Sequence, residues 1–237
     1  MNNIRLYYVE SIVENSTSFV SREHSHYIVN VMRLKKGSNI NFFNNEGEWL
    51  SEIVFLERDR VEVKFLNKIK ESSTTSNIEL AICLVKKTPM EIILQKATEL
   101  GVSKITPIIS ERTEVKELNL ERANKITVEA IEQSNQLNPP VINQVTKLKD
   151  FISNINQDTK LFFADVNSKY KIKSGDIEKS QSISILIGPE GDFSLQEREL
   201  ILAILNLTSF TLSKNILRTD TAVISAISLV NFIQNDH

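Results

Sequence analysis

The sequence is poor in the residues that build metal centres, cross-links and membrane spans. It has one cysteine and three histidines in 237 residues, and His24 and His26 stand only two positions apart. That spacing puts them on different faces of a helix, and no cysteine pair accompanies them, so we expect no metal site. No apolar run approaches the ~18–20 residues that span a bilayer, and residues 1–5 lack the pattern of a signal peptide. Cys83 lies in an apolar run, which predicts a buried, unreactive thiol. We therefore expect a cytoplasmic protein without disulfides, metal or membrane contact.

A strong positive charge, which proteins that bind nucleic acid nonspecifically carry, is also missing. The formal net charge is −2. A nucleic-acid partner must therefore be met by a local patch of cations. The best cluster is Arg33-Leu34-Lys35-Lys36, although a solvated helix end accounts for these residues equally well.

The glycine motifs of common nucleotide sites are absent. The chain contains six glycines but no G-x-G-x-x-G and no G-x-x-x-x-G-K-[ST], which argues against a dinucleotide-binding Rossmann site and against a P-loop. A G-x-S-x-G nucleophile elbow is missing as well. What remains is a cofactor held mostly by backbone groups of loops that contain glycine, with a few polar side chains around it.

Two of the six glycines fall in one turn, Gly188-Pro189-Glu190-Gly191-Asp192, directly after the apolar run 183–187. A short apolar strand that ends in such a loop is typical of the ligand crevice at the carboxyl edge of an α/β sheet. Ser194 and Glu197 then predict a capping box that opens a helix over 195–205.

A second strand–loop–helix unit follows in the last part of the chain. We predict a strand at 210–212, a loop at 213–218 and a helix that begins at Thr219. Two such units close together in sequence predict one site built from both loops.

The pattern of elements changes along the chain and predicts two domains. Residues 1–70 favour short strands with hairpin turns, as in a small barrel, and residues 71–77 form a polar linker. From residue 78 to 237, strands alternate with helices, as in an α/β domain with a largely parallel sheet. The elements predicted for the first domain are strands at 6–9, 40–43, 49–56 and 60–65 and a helix at 21–33. Those predicted for the second are strands at 78–85, 104–109 and 161–164 and helices capped by Thr88 and ending at Gly101, at 120–137 and at 148–155.

Several segments resemble one known family. Residues 187–197, with Gly188-Pro189-Glu190-Gly191, Phe193-Ser194 and Glu197, resemble the GPEGG-F-S-x-x-E segment of the RsmE family, the 16S ribosomal RNA uridine N3-methyltransferases of the SPOUT class. Residues 212–222 resemble its LG-x-R-I-L-R-T-E-T-A segment. Further blocks match at 90–101 with 110–112, at 129–134, and at His26, Val31 and Arg33. The similarity covers nearly the whole chain, in order.

This resemblance implies a fold and a function. The fold is an α/β SPOUT methyltransferase domain with a trefoil knot, preceded by a small PUA-like β-barrel. The activity is transfer of a methyl group from S-adenosyl-L-methionine (SAM) to N3 of a uridine in 16S rRNA of the small ribosomal subunit, by a homodimer without metal. The residues implied for SAM binding are Ile187, Gly188, Glu190, Gly191, Leu212, Ser213, Asn215, Ile216, Leu217 and Arg218.

The chemistry of N3 methylation suggests catalytic roles for residues of the two loops. Our hypothesis is that Arg218 steadies the uracil anion or the RNA backbone, while Glu190 or Asp220 handles the N3 proton or orients SAM. The residues implied to contact RNA are Arg5, His26, Arg33, Lys35, Lys36, Gln136 and Asn138.

Four departures from the family pattern bear most on the first loop, the second loop and RNA contact. Asp192 stands where the family has glycine, and Ser213 replaces a second glycine. Gln136 and Asn138 replace two arginines, which weakens phosphate contact. Two other functions therefore stay open: a SPOUT methyltransferase with a different RNA target, and a non-catalytic RNA-binding protein of ribosome assembly.

Overall fold

The computed structural model describes residues 4–58, 60–72, 76–178 and 181–235. Its contacts divide the chain into two units, of which the first comprises residues 1–74 and 131–138 and the second residues 75–130 and 139–237. Residues 73–75 of the predicted linker lie outside the described residues. The predicted domain boundaries did not include the return of 131–138 to the first unit.

Among its described residues up to 72, the first unit has five strands and one short α-helix that continues into a π-helical turn. In chain order these are β1 (Arg5–Tyr7), β2 (Thr17–Phe19), α1 (Arg22–His26), β3 (Asn39–Asn44), β4 (Gly47–Glu57) and β5 (Arg60–Glu71). The strands form one sheet in the order β1-β3-β4-β5-β2, in which only the β1–β3 pair is parallel.

The predicted hairpin between β3 and β4 is confirmed. Asn44 pairs with Gly47 at its tip. Gly47 has φ of +151°, and a Cβ there would lie 2.5 Å from the carbonyl oxygen of Lys70, so only glycine fits. Behind the sheet, the rings of Tyr8, Phe42 and Phe65 meet edge to face and form the centre of the core.

The predicted helix at 21–33 is present but is not a uniform α-helix. α1 passes into a π-helical turn at Tyr27–Val31, and Arg33 then adopts a left-handed conformation with φ of 52°. β2 was not predicted, because three residues on the sheet edge are too short to give a periodic pattern.

The second unit alternates strands and helices. In chain order these are β6 (Ile78–Cys83), α2 (Lys87–Glu99), β7 (Lys104–Ile109), α3 (Leu120–Ser134), β8 (Val141–Ile142), β9 (Thr146–Lys147), α4 (Leu148–Asn154), β10 (Lys160–Ala164), β11 (Ile183–Ile187), α5 (Leu195–Leu202), β12 (Leu207–Phe210) and α6 (Thr219–Asn235). The last turn of α3 belongs to the first unit.

The strands of the second unit form an entirely parallel sheet in the order β12-β10-β11-β6-β7-β8, with β9 also paired to β7. Both of its faces are covered. Along β6, Leu80 and Ile82 pack into one apolar cluster, whereas Ala81 and Cys83 pack into another on the opposite face. This double burial explains why the strands appear as continuous apolar runs.

Several sequence predictions in this unit are wrong in detail: β6 ends at Cys83 rather than at 85, α3 at Ser134 rather than at 137, and α5 at Leu202 rather than at 205. Thr88 does not cap α2, which begins at Lys87 after Lys86 without a side-chain cap. β12 lies at Leu207–Phe210 rather than at 210–212. Pro107 limits pairing as predicted, since the outer partner of β7 is split into β8 beside Lys104 and β9 beside Ile109.

Within the described residues, no helix combines the length and apolar character needed to cross a membrane. The same residues hold no group of three or more His, Cys, Asp or Glu side chains placed to ligate a metal ion.

Candidate functional site

The carboxyl ends of the parallel strands place several loops along one edge of the second unit. A cavity of about 80 Å³ opens there. Its lining comes from the segments after β6, β7 and β11, namely Leu84, Val85, Lys86, Arg112, Glu114, Val115, Pro189, Glu190 and Gly191. Such edges are the usual ligand crevices of open α/β sheets.

The first predicted loop forms a tight turn after β11. The N–H of Asp192 donates to the carbonyl of Pro189 at 3.0 Å. Asp192 has φ of 59°, a conformation that glycine adopts freely, and its Oδ1 accepts a 2.8 Å hydrogen bond from the N–H of Phe193. Aspartate therefore replaces the family's glycine at moderate cost, because its short side chain bonds locally.

Gly188 is required by packing against the protein itself. A Cβ at this position would lie 2.9 Å from Cε2 of Phe193. Phe193 cannot yield easily, because it is buried and its ring packs 5.6 Å from that of Phe163. The glycine thus allows the chain directly after β11 to pass close to an aromatic side chain.

We expect Gly188→Ala to destabilise the fold by about 1–3 kcal/mol through overpacking. Gly175→Ala is the matched control, since a Cβ there meets nothing within 4 Å. Urea unfolding of both variants measures the difference. Equal stabilities would contradict the role assigned to the Phe193 contact, whereas a gain in stability of Gly188→Ala on adding Phe193→Leu would support it.

Glu197 ties the first loop to the neighbouring loop after β7. Its buried carboxylate accepts hydrogen bonds from the N–H of Glu111 at 2.8 Å and from the N–H of Ser194 at 3.1 Å. The Ser194 hydroxyl in turn accepts from the N–H of Glu197, so the predicted capping box is confirmed. Its further bond to Glu111 joins distant segments and has no local sequence signal.

Arg112 is a second residue at this edge that the sequence did not predict as a site residue. Its guanidinium donates to the carbonyl of Gly191 at 2.9 Å. A Cβ added to Gly191 would lie 3.7 Å from the Cβ of Arg112. Arg112 belongs to one of the segments that resemble the family, and this was the available signal.

The second predicted loop lies between β12 and α6. Because β10 separates β11 from β12 and adjacent strands lie about 4.8 Å apart, the two loops begin roughly 10 Å from each other. Ser213, Asn215 and Ile216 are exposed, and Ile216 is 90% exposed, which excludes a core role for that side chain. Among the described residues, the backbone N–H groups of Leu212, Ile216 and Leu217 donate no hydrogen bond.

The three predicted catalytic residues lie in or beside these loops. Arg218 precedes α6, and its side chain is 76% exposed. Its Nε lies 3.8 Å from Oδ1 of Asp220. That oxygen also accepts from the N–H of Thr221 at 2.9 Å. Glu190 lines the cavity, is exposed, and has no hydrogen-bond or ion-pair partner within the described ranges.

Asp165, directly after β10, connects α5 and β12 at this edge of the sheet through hydrogen bonds. Its buried Oδ2 accepts from Arg198 at 2.6 Å and from the Ser209 hydroxyl at 3.0 Å, and its Oδ1 accepts from the N–H of Asn167. Burial by itself raises the pKa of Asp165. The hydrogen bonds from Arg198, Asn167 and Ser209 and the charge of Arg198 outweigh that effect and hold the pKa below its usual range.

A lowered pKa in the folded state means that Asp165 stabilises the fold above the pKa of the unfolded carboxyl, and that this stabilisation is lost as the pH falls through the folded value. We expect Asp165→Asn to cost about 2–3 kcal/mol at pH 7 and the difference from wild type to shrink below about pH 4. Urea unfolding across pH 3–7 measures it. Asp158→Asn, at an exposed aspartate, is the control, and a pH-independent cost of Asp165→Asn would contradict the assignment.

The prediction that Cys83 is buried is confirmed. Burial raises the pKa of its thiol to about 12, against smaller opposing effects of hydrogen bonds with Ser110 and Thr113. The thiol is therefore protonated at neutral pH and unreactive.

The predicted RNA-binding residues lie in the first unit and divide into two groups. His26, Arg33, Lys35 and Lys36 are exposed on or after α1. Arg5 is only 8% exposed in its side chain: it pairs with Glu48 at 3.0 Å and donates to the carbonyls of Ile131, Glu132 and Gln136.

Arg5 therefore caps the last turn of α3 instead of presenting a free cation, which argues against its predicted role in RNA binding. The sequence placed Arg5 beside Leu6 and Tyr7 but gave no sign that a segment 126 residues away would cover it. Gln136 and Asn138 are half-buried in that same segment.

Comparison with known proteins gives the following similarities. Residues 70–231 match the model of an RNA methyltransferase domain, and residues 20–66 match that of an RNA methyltransferase PUA domain. A Rickettsia conorii protein named ribosomal RNA small subunit methyltransferase E is 33% identical over 232 residues, which cover 97% of this chain and 95% of that protein. The Bacillus subtilis protein of the same name is 29% identical over 240 residues, covering 94% of this chain and 93% of that protein.

Two crystal structures share the fold over nearly the full chain. Ribosomal RNA small subunit methyltransferase E from Neisseria gonorrhoeae, bound to SAM, superposes with a TM-score of 0.89 at 28% identity and covers 98% of both chains. A Legionella pneumophila protein in complex with SAM superposes with a TM-score of 0.87 at 27% identity, covering 100% of this chain and 98% of that one.

Proposed function

Since this chain belongs to the ribosomal RNA small subunit methyltransferase E family, we propose that it transfers a methyl group from SAM to N3 of one uridine in 16S rRNA. Membership confirms the predicted resemblance, the activity of a SAM-dependent rRNA methyltransferase and the α/β SPOUT domain preceded by a PUA-like domain. The trefoil knot, the homodimer and the N3 position stay predictions.

The observation that carries the cofactor assignment is the chemistry of the two loops. The second loop exposes the apolar side chain of Ile216 beside backbone N–H groups that have no partner within the described residues. An adenine ring needs this combination, because it stacks on apolar surface and bonds to backbone groups along its edge. The roughly 10 Å between the loops suits a nucleoside-sized ligand. The other end of SAM would be held by the first loop, at Ile187, Gly188, Glu190 and Gly191.

Methylation at N3 demands an unpaired base, because N3 lies on the Watson–Crick edge of uracil. Bound SAM would supply an electrophilic methyl group. The protein's task is then to orient N3 towards that methyl group, to accept the N3 proton and to stabilise the resulting anion.

The geometry favours Glu190 over Asp220 as the proton acceptor. One oxygen of Asp220 already accepts from Thr221 and faces Arg218. The carboxylate of Glu190 is exposed and unpartnered within the described residues. We assign to Glu190 the removal of the N3 proton, to Asp220 the placement of Arg218, and to Arg218 the stabilisation of the uracil anion.

The exposed residues of the first unit are the proposed RNA contacts. His26, Arg33, Lys35 and Lys36 are accessible to a strand, and Gln136 and Asn138 add hydrogen-bonding amides. The proposal omits Arg5, because its donors are engaged within the protein.

The proposed homodimer follows from the family resemblance and from exposed apolar side chains of the second unit. These are Leu195, Leu205 and Phe232, each at least 66% exposed. Association that removes such side chains from water is favourable. Light scattering of the purified protein distinguishes a dimer from a monomer. A cytoplasmic location fits a ribosomal substrate.

The proposed function is tested by transfer of labelled methyl from SAM to small ribosomal subunits that lack the uridine N3 mark. Reverse transcription stops map the acceptor, because N3 methylation blocks base pairing. We expect incorporation at one uridine. Incorporation elsewhere would show a different RNA target. No transfer by a protein that binds SAM would also point to a different RNA target, whereas RNA binding without SAM binding would favour a non-catalytic role.

A further inference from the structure

The connection between β10 and β11 carries three lysines at alternate positions, Lys169, Lys171 and Lys173. All three are exposed, whereas Ile172 between the last two is buried in the main core of the second unit. Ile172 thus anchors the segment, and the lysines lie on its outward side. This segment, residues 169–173, is the lysine track.

The lysine track is fixed beside the second cofactor loop. The carbonyl of Tyr170 accepts a 2.8 Å hydrogen bond from the N–H of Thr211, the residue directly before Leu212. The phenol of Tyr170 donates to the carboxylate of Asp176 at 2.7 Å, and the Ser168 hydroxyl donates to the carbonyl of Ser209 at 3.0 Å. Side-chain and backbone bonds therefore hold the track where the polypeptide enters the loop.

The cations of the track and of the second loop outnumber the acids that neutralise them. Within the described residues, Lys169, Lys171 and Lys214 have no ion-pair or hydrogen-bond partner. The acids nearby are fewer than these lysines and Lys173. Asp165 pairs with Arg198, which leaves Asp176, whose hydrogen-bond donors are the neutral phenol of Tyr170 and the N–H of Lys173, and the exposed Glu178. This edge thus has free positive charge although the chain as a whole is slightly negative.

We propose that Lys169 and Lys171, together with Lys214, bind phosphates of the RNA strand that delivers the target nucleotide to the second loop. This inference rests on the proposed function and names the surface that meets the substrate. Lysines on long flexible stems are point charges suited to a phosphodiester backbone and carry no base specificity. The track supplies cations to a chain that has Gln136 and Asn138 where its family has arginines.

The test compares two double variants of equal charge. Lys169→Gln/Lys171→Gln removes two cations of the track, and Lys147→Gln/Lys149→Gln removes two exposed lysines at the opposite margin of the sheet, beside β7. The probe is a single-stranded oligouridine, because the proposed contacts are to phosphates and carry no base specificity. Its dissociation constant is measured between about 0.05 and 0.5 M salt, a range over which the screening of charges increases strongly. SAM affinity is measured for each protein.

Each phosphate contact to a single strand contributes about 0.7 to the slope of log affinity against log salt. Loss of two contacts is expected to reduce that slope by about 1.4 and to weaken binding about 25-fold at 0.1 M salt. The control pair is expected to keep the wild-type slope, and all proteins are expected to bind SAM equally.

An unchanged slope in the track variant, or the same loss in the control pair, would overturn the inference. If wild type binds RNA but methylates nothing while the track variant shows the reduced slope, the proposed function fails and the phosphate surface stands. If wild type binds no RNA, both fail.

Discussion

Replacement of Arg218 by alanine is expected to slow methyl transfer about 100- to 1,000-fold while SAM still binds. Arg218 is largely exposed at the start of α6 and lies beside Asp220, so its guanidinium can approach a base in the second loop without rearrangement of the core. A uracil that loses its N3 proton carries negative charge over its ring and oxygens. A preformed cation beside that charge stabilises the transition state more than the ground state. Single-turnover transfer with saturating SAM measures the loss.

Arg218→Lys is the matched variant, since it keeps the charge but loses the planar, forked donor. We expect it to recover part of the rate. Lys214→Ala serves as a control for simple loss of an exposed cation from the same loop, with an effect on RNA affinity and little on the rate at saturating RNA. Full transfer by Arg218→Ala that still binds SAM would remove Arg218 from the catalytic residues.

Replacement of Glu197 by alanine is expected to destabilise the fold by about 3 kcal/mol, because the N–H groups of Glu111 and Ser194 lose a charged acceptor. For a chain of this size, that corresponds to a fall in Tm of roughly 6–12 °C. The same change frees the first loop from the segment after β7, so we expect SAM affinity to fall as well. Calorimetry and SAM titration measure the two effects.

Glu199→Ala, an exposed glutamate two residues away on α5, is the control and should change stability by less than about 0.5 kcal/mol. Glu197→Gln keeps one acceptor oxygen but presents an N–H₂ group to a donor, so we expect an intermediate loss. If Glu197→Ala unfolds like wild type, the carboxylate does not join the two loops.

The strand–loop–helix unit around the first loop was predictable because its signals are local. β11 covers 183–187 as predicted, and the capping box of Ser194 and Glu197 opens α5 where expected. Both depend on residues within a few positions of each other, so neither strand order nor tertiary packing can override them. α6 likewise begins at Thr219.

The wrong predictions concern element bounds and side-chain environments that depend on tertiary contacts. Thr88 has the right neighbours for a cap, yet the N-cap position is occupied by Lys86, whose backbone is extended (φ −55°, ψ 156°), and α2 begins at Lys87. β12 was placed too late, since Leu212 is as apolar as a strand residue but packs on the core from within the loop. The engagement of Arg5 by residues 131–136 depends on a long-range contact that no local pattern encodes.

The cap that Arg5 places on α3 limits how this protein can be divided or recombined. Phe43 packs on Ile131 and Leu137, and the guanidinium of Arg5 lies 4.1 Å from the centre of the Phe43 ring. A gene fragment that ends near residue 72 would therefore encode a sheet with an uncovered aromatic ring and with an arginine that has lost its three carbonyl acceptors and keeps only Glu48. Exchange of the amino-terminal segment between homologues must therefore include residues 131–138 to give a folded product.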